Sequence, residues 1–439
     1  MDLLIRGGRV IDPQQGLDTH LDVRVAEGRI AEIGRNLPLP EACPRPRPGS
    51  GSPASATRVV EADGWIVAPG FIDMHVHFGE PGYEHRETIA SGLAAAAAGG
   101  FTAVAMMPDT QPVHDTPTVT EYILRRAGIA CGTRLYPVGA VTTGLQGESL
   151  AEIGGMHKAG IVALSDGPRS VGSARLMRRA MEYGCMFGLP VLAHGEDRVL
   201  AGNGVMHEGV ISTALGLPGA PAAAESILVY RDIQLAALSG VHLHVQHVSS
   251  AETVSLLRRA KDQGLTITAE TCPQYLTLTD AAVKGYDTNT KVNPPLRPAP
   301  DVEAVRAALR DGTIDAIASD HLPQHVADKE QDYLAAAPGM IGLETSIGLA
   351  MRLYHDGLLP LPQWVAAFTS RPARILDLPH GTLRAGELAD LTLIDPEHEV
   401  EVDATTLHSR SHNTPFLGWR LRGAAMATIV GGRIIFERK

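Results

Sequence analysis

Between Phe71 and Asp320 the chain alternates short apolar runs with longer stretches of helical spacing. The runs are FIDMHVHF (71–78), FTAVAMM (101–107), RLYPVGA (134–140), IVALSD (161–166), PVLAH (190–194), HLHVQHV (242–248), LTITAE (265–270) and IDAIASD (314–320). Between them lie Ala- and Leu-rich segments such as ETIASGLAAAAAGG and ARLMRRAMEYGCMFG. Eight strands, each followed by a helix or long loop, predict an α/β protein built on a parallel (β/α)8 TIM barrel. An open doubly wound sheet is the alternative.

The two ends of the chain read differently. LLIRGGRVIDP and LDVRVAEGRIAEIG near the N-terminus alternate around Gly-Gly and Glu-Gly turns, as do ADLTLIDP and AMATIVGGRIIFE near the C-terminus. Such alternation predicts short antiparallel strands. The expected organisation is residues 1–68 as one part of a small composite β-sandwich, 69–379 as the barrel, and 380–439 as the rest of the sandwich. Residues 37–57, rich in proline, are expected to form an exposed loop without chemistry.

Composition narrows the function. The net charge is −11 and no basic run occurs, which argues against a nucleic-acid partner. No stretch approaches the roughly 20 apolar residues of a membrane span, and residues 1–9 lack a secretory pattern. Cys43, Cys131, Cys185 and Cys272 are scattered without CxxC spacing. They are expected to be free thiols in a reducing cytoplasm. Aromatics are only 4% of the chain, so the core must be mostly aliphatic, whereas there are 18 histidines, several in tight pairs.

A barrel puts its chemistry at the C-terminal ends of its strands. His75 and His77 end the first predicted strand, Asp166 the fourth, His194 the fifth and Asp320 the eighth, and His247 lies near the end of the sixth. Residues two apart on a strand share a face, so both imidazoles of His75-Val76-His77 can reach one ion. Four histidines and two aspartates on one rim suit one or two divalent ions, Zn²⁺ above all. His242 and His244 are read as structural, and His85, His114, His207, His321 and His325 stay open.

The segment DMHVHFGEPGYEHRETIASGLAAAAAGGFTAVAMMPDTQP resembles the opening of the class I dihydroorotases of the amidohydrolase superfamily. ALSDG, LAHGEDRVLAGNG, QHVSSAETV, KVNPPLR, DAIASDHLP, MIGLET, ADLTLIDP and NTPFLGW continue the resemblance in order. It implies reversible hydrolysis of a cyclic amide, dihydroorotate by default, in pyrimidine biosynthesis. It also implies that His75, His77, Asp166 and Asp320 bind one zinc and that Asp166, His194 and His247 bind a second. Asp320 would be the catalytic proton acceptor. His77, Asn293, Gln324 and the backbone of Pro338 and Gly339 would contact substrate, with His321–Gly342 as a covering loop. Arg297 is as well explained by a surface ion pair.

Departures from the family pattern are concentrated in substrate recognition: Gln324 stands where the family has a histidine, Pro273-Gln274-Tyr275 where it has Pro-His-His, and two further positions bear on the substrate carboxylate. The arginine expected to grip a substrate carboxylate is Gly79, and the expected asparagine is Asp109. Weak use of dihydroorotate is therefore expected, improved by Gly79→Arg with Asp109→Asn. The rivals are a hydantoinase- or allantoinase-like enzyme and a non-catalytic partner of aspartate carbamoyltransferase. A homo-oligomer is expected.

Overall fold

The computed structural model describes residues 2–39, 57–130 and 132–439. Of the proline-rich stretch, 40–56 lie outside the described residues, as do Cys43 and Cys131. Cys185 and Cys272 are free.

All eight predicted runs form strands of one parallel sheet, in chain order across it. They are Phe71–Val76, Phe101–Met106, Arg134–Ala140, Ala163–Ser165, Val191–Ala193, Leu243–Val245, Ile267–Thr271 and Ala316–Ile317. The first two are buried at every position, as strands covered on both faces must be. The sheet closes on itself where Val76 bridges His321 in the parallel sense and the His77 N–H donates to the His321 carbonyl at 2.8 Å.

Several strands are shorter than the apolar runs that predict them. Strands four, five and six keep three residues each and strand eight keeps two. The missing residues are largely the polar ends. Asp166, His194, His247 and Asp320 all lie beyond the last ladder position, where the backbone is free to turn a side chain inward. His247 and Asp320 do so with φ of +36° and +50°, a left-handed backbone rare for residues with a Cβ and common at functional sites.

Both termini build the flanking β-structure. One sheet runs Arg29–Gly34, Asp22–Ala26, Leu3–Arg6, Arg58–Glu61. The other runs Arg433–Glu437, Arg420–Val430, Leu391–Glu401, Ile66–Pro69, Arg9–Asp12, Leu17–His20, so Ile66–Pro69 joins the C-terminal strands to an N-terminal hairpin. The sheets share one apolar core that includes Leu3, Val23, Val67, Leu391 and Ile429. Arg134 on barrel strand three ties to it through Asp390, with Nε to Oδ2 at 2.8 Å and Nη2 to Oδ1 at 3.1 Å.

His114, in the loop after strand two, belongs to this framework. It is fully buried, with Nε2 2.6 Å from Thr120 Oγ1. Burial pulls its imidazole from an ordinary 6.5 down to about 4. The folded value lies below the unfolded one, so between these pH values the unfolded chain binds the extra proton and stability falls as pH falls. Urea midpoints of wild type and His114→Gln, compared at pH 7 and 4.5, should show the wild type losing roughly 2–3 kcal/mol more than the variant. Parallel losses would show that His114 does not take part in the acid response.

Candidate active site

His75 and His77 leave strand one on the same side and meet Asp320 from strand eight. His75 Nε2 is 3.8 Å and His77 Nε2 3.9 Å from Asp320 Oδ1. These three buried side chains offer donor atoms all within 4.8 Å of one another, a group able to hold a metal ion. The far nitrogen of each ring is held by a carboxylate: His75 Nδ1 lies 2.8 Å from Glu270 Oε1, and His77 Nδ1 2.7 Å from Asp109 Oδ1. A carboxylate behind an imidazole fixes its tautomer and leaves the opposite lone pair free for a cation.

A second pair sits beside this group. His194 Nδ1 and His247 Nε2 are 2.7 Å apart, and the His247 ring centroid is 5.3 Å from that of His75. Burial, reinforced by the neighbouring His194 and His75, holds the His247 imidazole well below its usual range, so it keeps a lone pair to offer. At His75 the balance runs the other way. Burial alone would lower it, but Glu270, Asp320 and Asp73 together raise it to about 9. Burial lifts the Asp320 carboxyl above its ordinary value despite both histidines.

Asp166 stands apart from the close group. Its Oδ1 accepts the backbone N–H of Val141 and Thr142 at 2.8 and 2.9 Å, and its Oδ2 accepts the Thr142 hydroxyl. Asn293 Nδ2 is 3.5 Å from His194 Nε2. Asn293 lines a cleft of about 540 Å³ together with Glu196, Asn203, Lys291 and Pro338.

The remaining expected contacts need revision. Arg297 is not at the surface: it is buried, with Nη2 3.2 Å from Glu225 Oε2 and Nε donating to Ser249 Oγ at 3.0 Å. Gly339 has no free backbone group, since its N–H donates to the Lys291 carbonyl and its carbonyl accepts from Lys329 Nζ and Asn413 Nδ2. Of the covering loop, Pro338 faces the cleft, and its carbonyl accepts from Gln324 Nε2 at 2.9 Å. Asp109 is occupied with His77, so its charge serves the histidine. At Gly79 an added Cβ would lie 2.2 Å from the Tyr83 carbonyl oxygen. The turn has closed over the space a side chain would need, so the gain expected from Gly79→Arg is withdrawn for this backbone.

Sequence reading missed Glu270, Asp73 and Glu196. Glu270 closes the run LTITAE, so its strand-end position was a usable signal. Asp73 lies mid-strand, where nothing in the local pattern distinguishes it. His244 is fully buried, with Nδ1 2.9 Å from Thr268 Oγ1 and Nε2 3.2 Å from Oε2 of Glu270.

The chain matches two family models, "Dihydro-orotase-like" over residues 64–253 and "Amidohydrolase family" over 229–436. The dihydroorotase of Citrifermentans bemidjiense is 48% identical over 437 residues, covering 100% of both chains. That of Geobacter sulfurreducens is 49% identical, again over 100% of both. Among solved structures, the L-hydantoinase (dihydropyrimidinase) of Arthrobacter aurescens superposes with a TM-score of 0.85 at 26% identity, covering 99% of this chain and 96% of its own. The dihydropyrimidinase of Brevibacillus agri shares the fold, with a TM-score of 0.81 at 22% identity, covering 100% of this chain and 95% of its own. Full-length similarity, a barrel of this topology and a histidine–aspartate group on its rim agree: this chain belongs to the dihydroorotase family of amidohydrolases, hydrolases that act on cyclic amides.

Proposed function

We propose that this protein interconverts dihydroorotate and N-carbamoyl-L-aspartate at a zinc centre on the barrel rim. The observation that carries this reading is the meeting of His75, His77 and Asp320 in a chain that resembles dihydroorotases from end to end. The donor set fits a divalent ion: two imidazoles oriented by carboxylates, and a buried carboxylate between them and the barrel's eighth strand. His75, His77 and Asp320 would hold one ion, and His194 and His247, with Asp166 as a further candidate ligand, would hold a second.

When bound, zinc supplies a water acidified toward neutral pH and polarises the amide carbonyl. The chain's own groups do the rest. Asp320 accepts the proton of the attacking water and returns it to the ring nitrogen as the C–N bond breaks. Glu270 and Asp109 keep the His75 and His77 rings from turning. Asn293, which lines the cleft, holds the substrate ring. Keeping all six ligand positions favours an active enzyme over a scaffold. Self-association and docking to aspartate carbamoyltransferase belong to the same proposal; sedimentation of the chain alone and mixed with that enzyme tests them.

Elemental analysis of protein purified without chelator and supplemented with zinc should give about one to two zinc per chain, because an assembled site of this kind holds the ion tightly. Less than about 0.2 per chain would sink the zinc centre.

Asp320→Asn should fold normally, keep most of its metal and lose a factor of about 10² or more in turnover, since proton transfer is gone. Near-normal turnover with full metal would move the proton to another group.

Substrate recognition is where dihydroorotate should be handled poorly. A carboxylate leaving water needs donors to offset its desolvation, and Gly79 and Asp109 provide none. The expected outcome is a high KM for dihydroorotate with a competent kcat. A parallel assay with hydantoin and allantoin decides the alternative. A higher kcat/KM for either neutral ring would make this a hydantoinase-like enzyme, in keeping with its structural neighbours.

A further inference from the structure

A TIM barrel ordinarily fills its interior with layers of branched aliphatic side chains. Strands six and seven of this barrel carry a polar file instead. Side chains alternate along a strand. Leu243, Val245, Ile267 and Ala269 join the apolar core shared with the surrounding helices, and His242, His244, Thr268 and Glu270 take the opposite face. His244 and Thr268 stand side by side in the ladder. His244 and Glu270 are fully buried, whereas His242 and Thr268 are half-buried.

These side chains are linked one to the next. His242 Nε2 lies 2.8 Å from Thr268 Oγ1, and His244 Nδ1 lies 2.9 Å from the same hydroxyl. His244 Nε2 is 3.2 Å from Glu270 Oε2, and Glu270 Oε1 is 2.8 Å from His75 Nδ1. The file therefore runs from the start of strand six to a member of the candidate metal group.

The donors and acceptors fix its chemistry. His244 Nε2 and Glu270 Oε2 are buried, and neither has another hydrogen-bond partner among the described residues. A bare imidazole lone pair facing a carboxylate oxygen would leave both atoms uncompensated, so His244 Nε2 carries a proton and directs it at Glu270. Thr268 completes Nδ1, since a hydroxyl can donate or accept. Glu270 then has an N–H at each oxygen, one from His244 and one from His75. Gln246 Nε2 competes for His75, at 3.2 Å from the same Nδ1. An amide N–H can only donate there, and such a bond would drive the imidazole proton onto Nε2, the nitrogen an ion needs. Glu270 opposes this only while it is held in place.

We propose that His244 is a positioning residue of the metal centre: it holds Glu270 against His75 Nδ1 and so keeps the His75 Nε2 lone pair turned to the ion, with Thr268 fixing His244 in turn. This rests on the zinc centre proposed above.

The test is zinc affinity, measured by chelator competition without substrate. His244→Leu should bind zinc about 10–100-fold more weakly than wild type, the usual scale for loss of a partner behind a metal-binding histidine. His244→Gln, whose amide still offers an N–H to Glu270, should recover most of that affinity. A residue that only filled space would be replaced better by leucine than by glutamine. Where both fold, the visible absorption of the cobalt-substituted protein should change in His244→Leu and stay close to wild type in His244→Gln. Thr268→Val carries the test if His244→Leu does not fold: it should bind zinc more weakly than wild type, and Thr268→Ser should bind it like wild type. In metal-free wild type, nitrogen-15 shifts should place a proton on His244 Nε2. A wild type that binds no zinc would overturn the zinc centre and this proposal with it. A wild type that binds zinc while His244→Leu, or Thr268→Val in its place, binds it equally tightly overturns this proposal alone, as does a His244 protonated only on Nδ1.

Discussion

The candidate site depends on one seam, the closure of strand eight onto strand one. Two buried carboxylates hold it. Asp73 accepts the backbone N–H of His75 at 3.0 Å and that of Ser319 at 3.2 Å, joining the two strands directly. Glu87, fully buried, faces His321 at 3.5 Å and accepts the Ser409 hydroxyl. Burial raises the Asp73 carboxyl to about 6, so the seam is made at an electrostatic cost that its N–H partners only partly offset. His75 and His77 lie on one side of this seam and Asp320 on the other. Slippage by one residue would invert which side chains face the barrel interior and disperse the group.

Around the seam the polar groups form a connected interior. Glu270 holds His75, and burial that would raise its carboxyl is outweighed by His244 and His75, which bring it to about 2. Asp109 does for His77 what Glu270 does for His75, from the loop after strand two. The two rings are thus aimed by strands and loops far from each other in sequence. A buried polar network of this kind is stable only when its members are satisfied together, which ties the precision of the site to the integrity of the whole barrel.

Much of the architecture was legible because it rests on local pattern. Eight apolar runs became eight strands, and the two-residue spacing of His75 and His77 put both rings on one face. Less legible was whatever depends on non-local packing. Arg297 looked as exposed as any arginine, yet chain crossing buries it against Glu225 and Ser249. Asp109 looked like a charge pointed at substrate, because nothing in MMPDTQP tells that His77 lies within hydrogen-bonding reach. Gly79 looked like a missing side chain. Only the folded turn reveals that the Tyr83 carbonyl has taken the room.

The way the flanking sheet is stitched together has a temporal side. Val67 pairs with Leu393, and Ile66 with Ile394, so the ladder joins positions 326 and 328 residues apart. A ribosome adding roughly 5–20 residues per second needs about 15–65 seconds to travel that distance. For that interval Ile66–Pro69 has emerged without one of its two neighbours and presents an open, apolar edge to the solvent. Such edges recruit other chains. The interval between making this strand and completing its sheet is therefore when the nascent protein is most open to misassociation, and when a chaperone has most to protect.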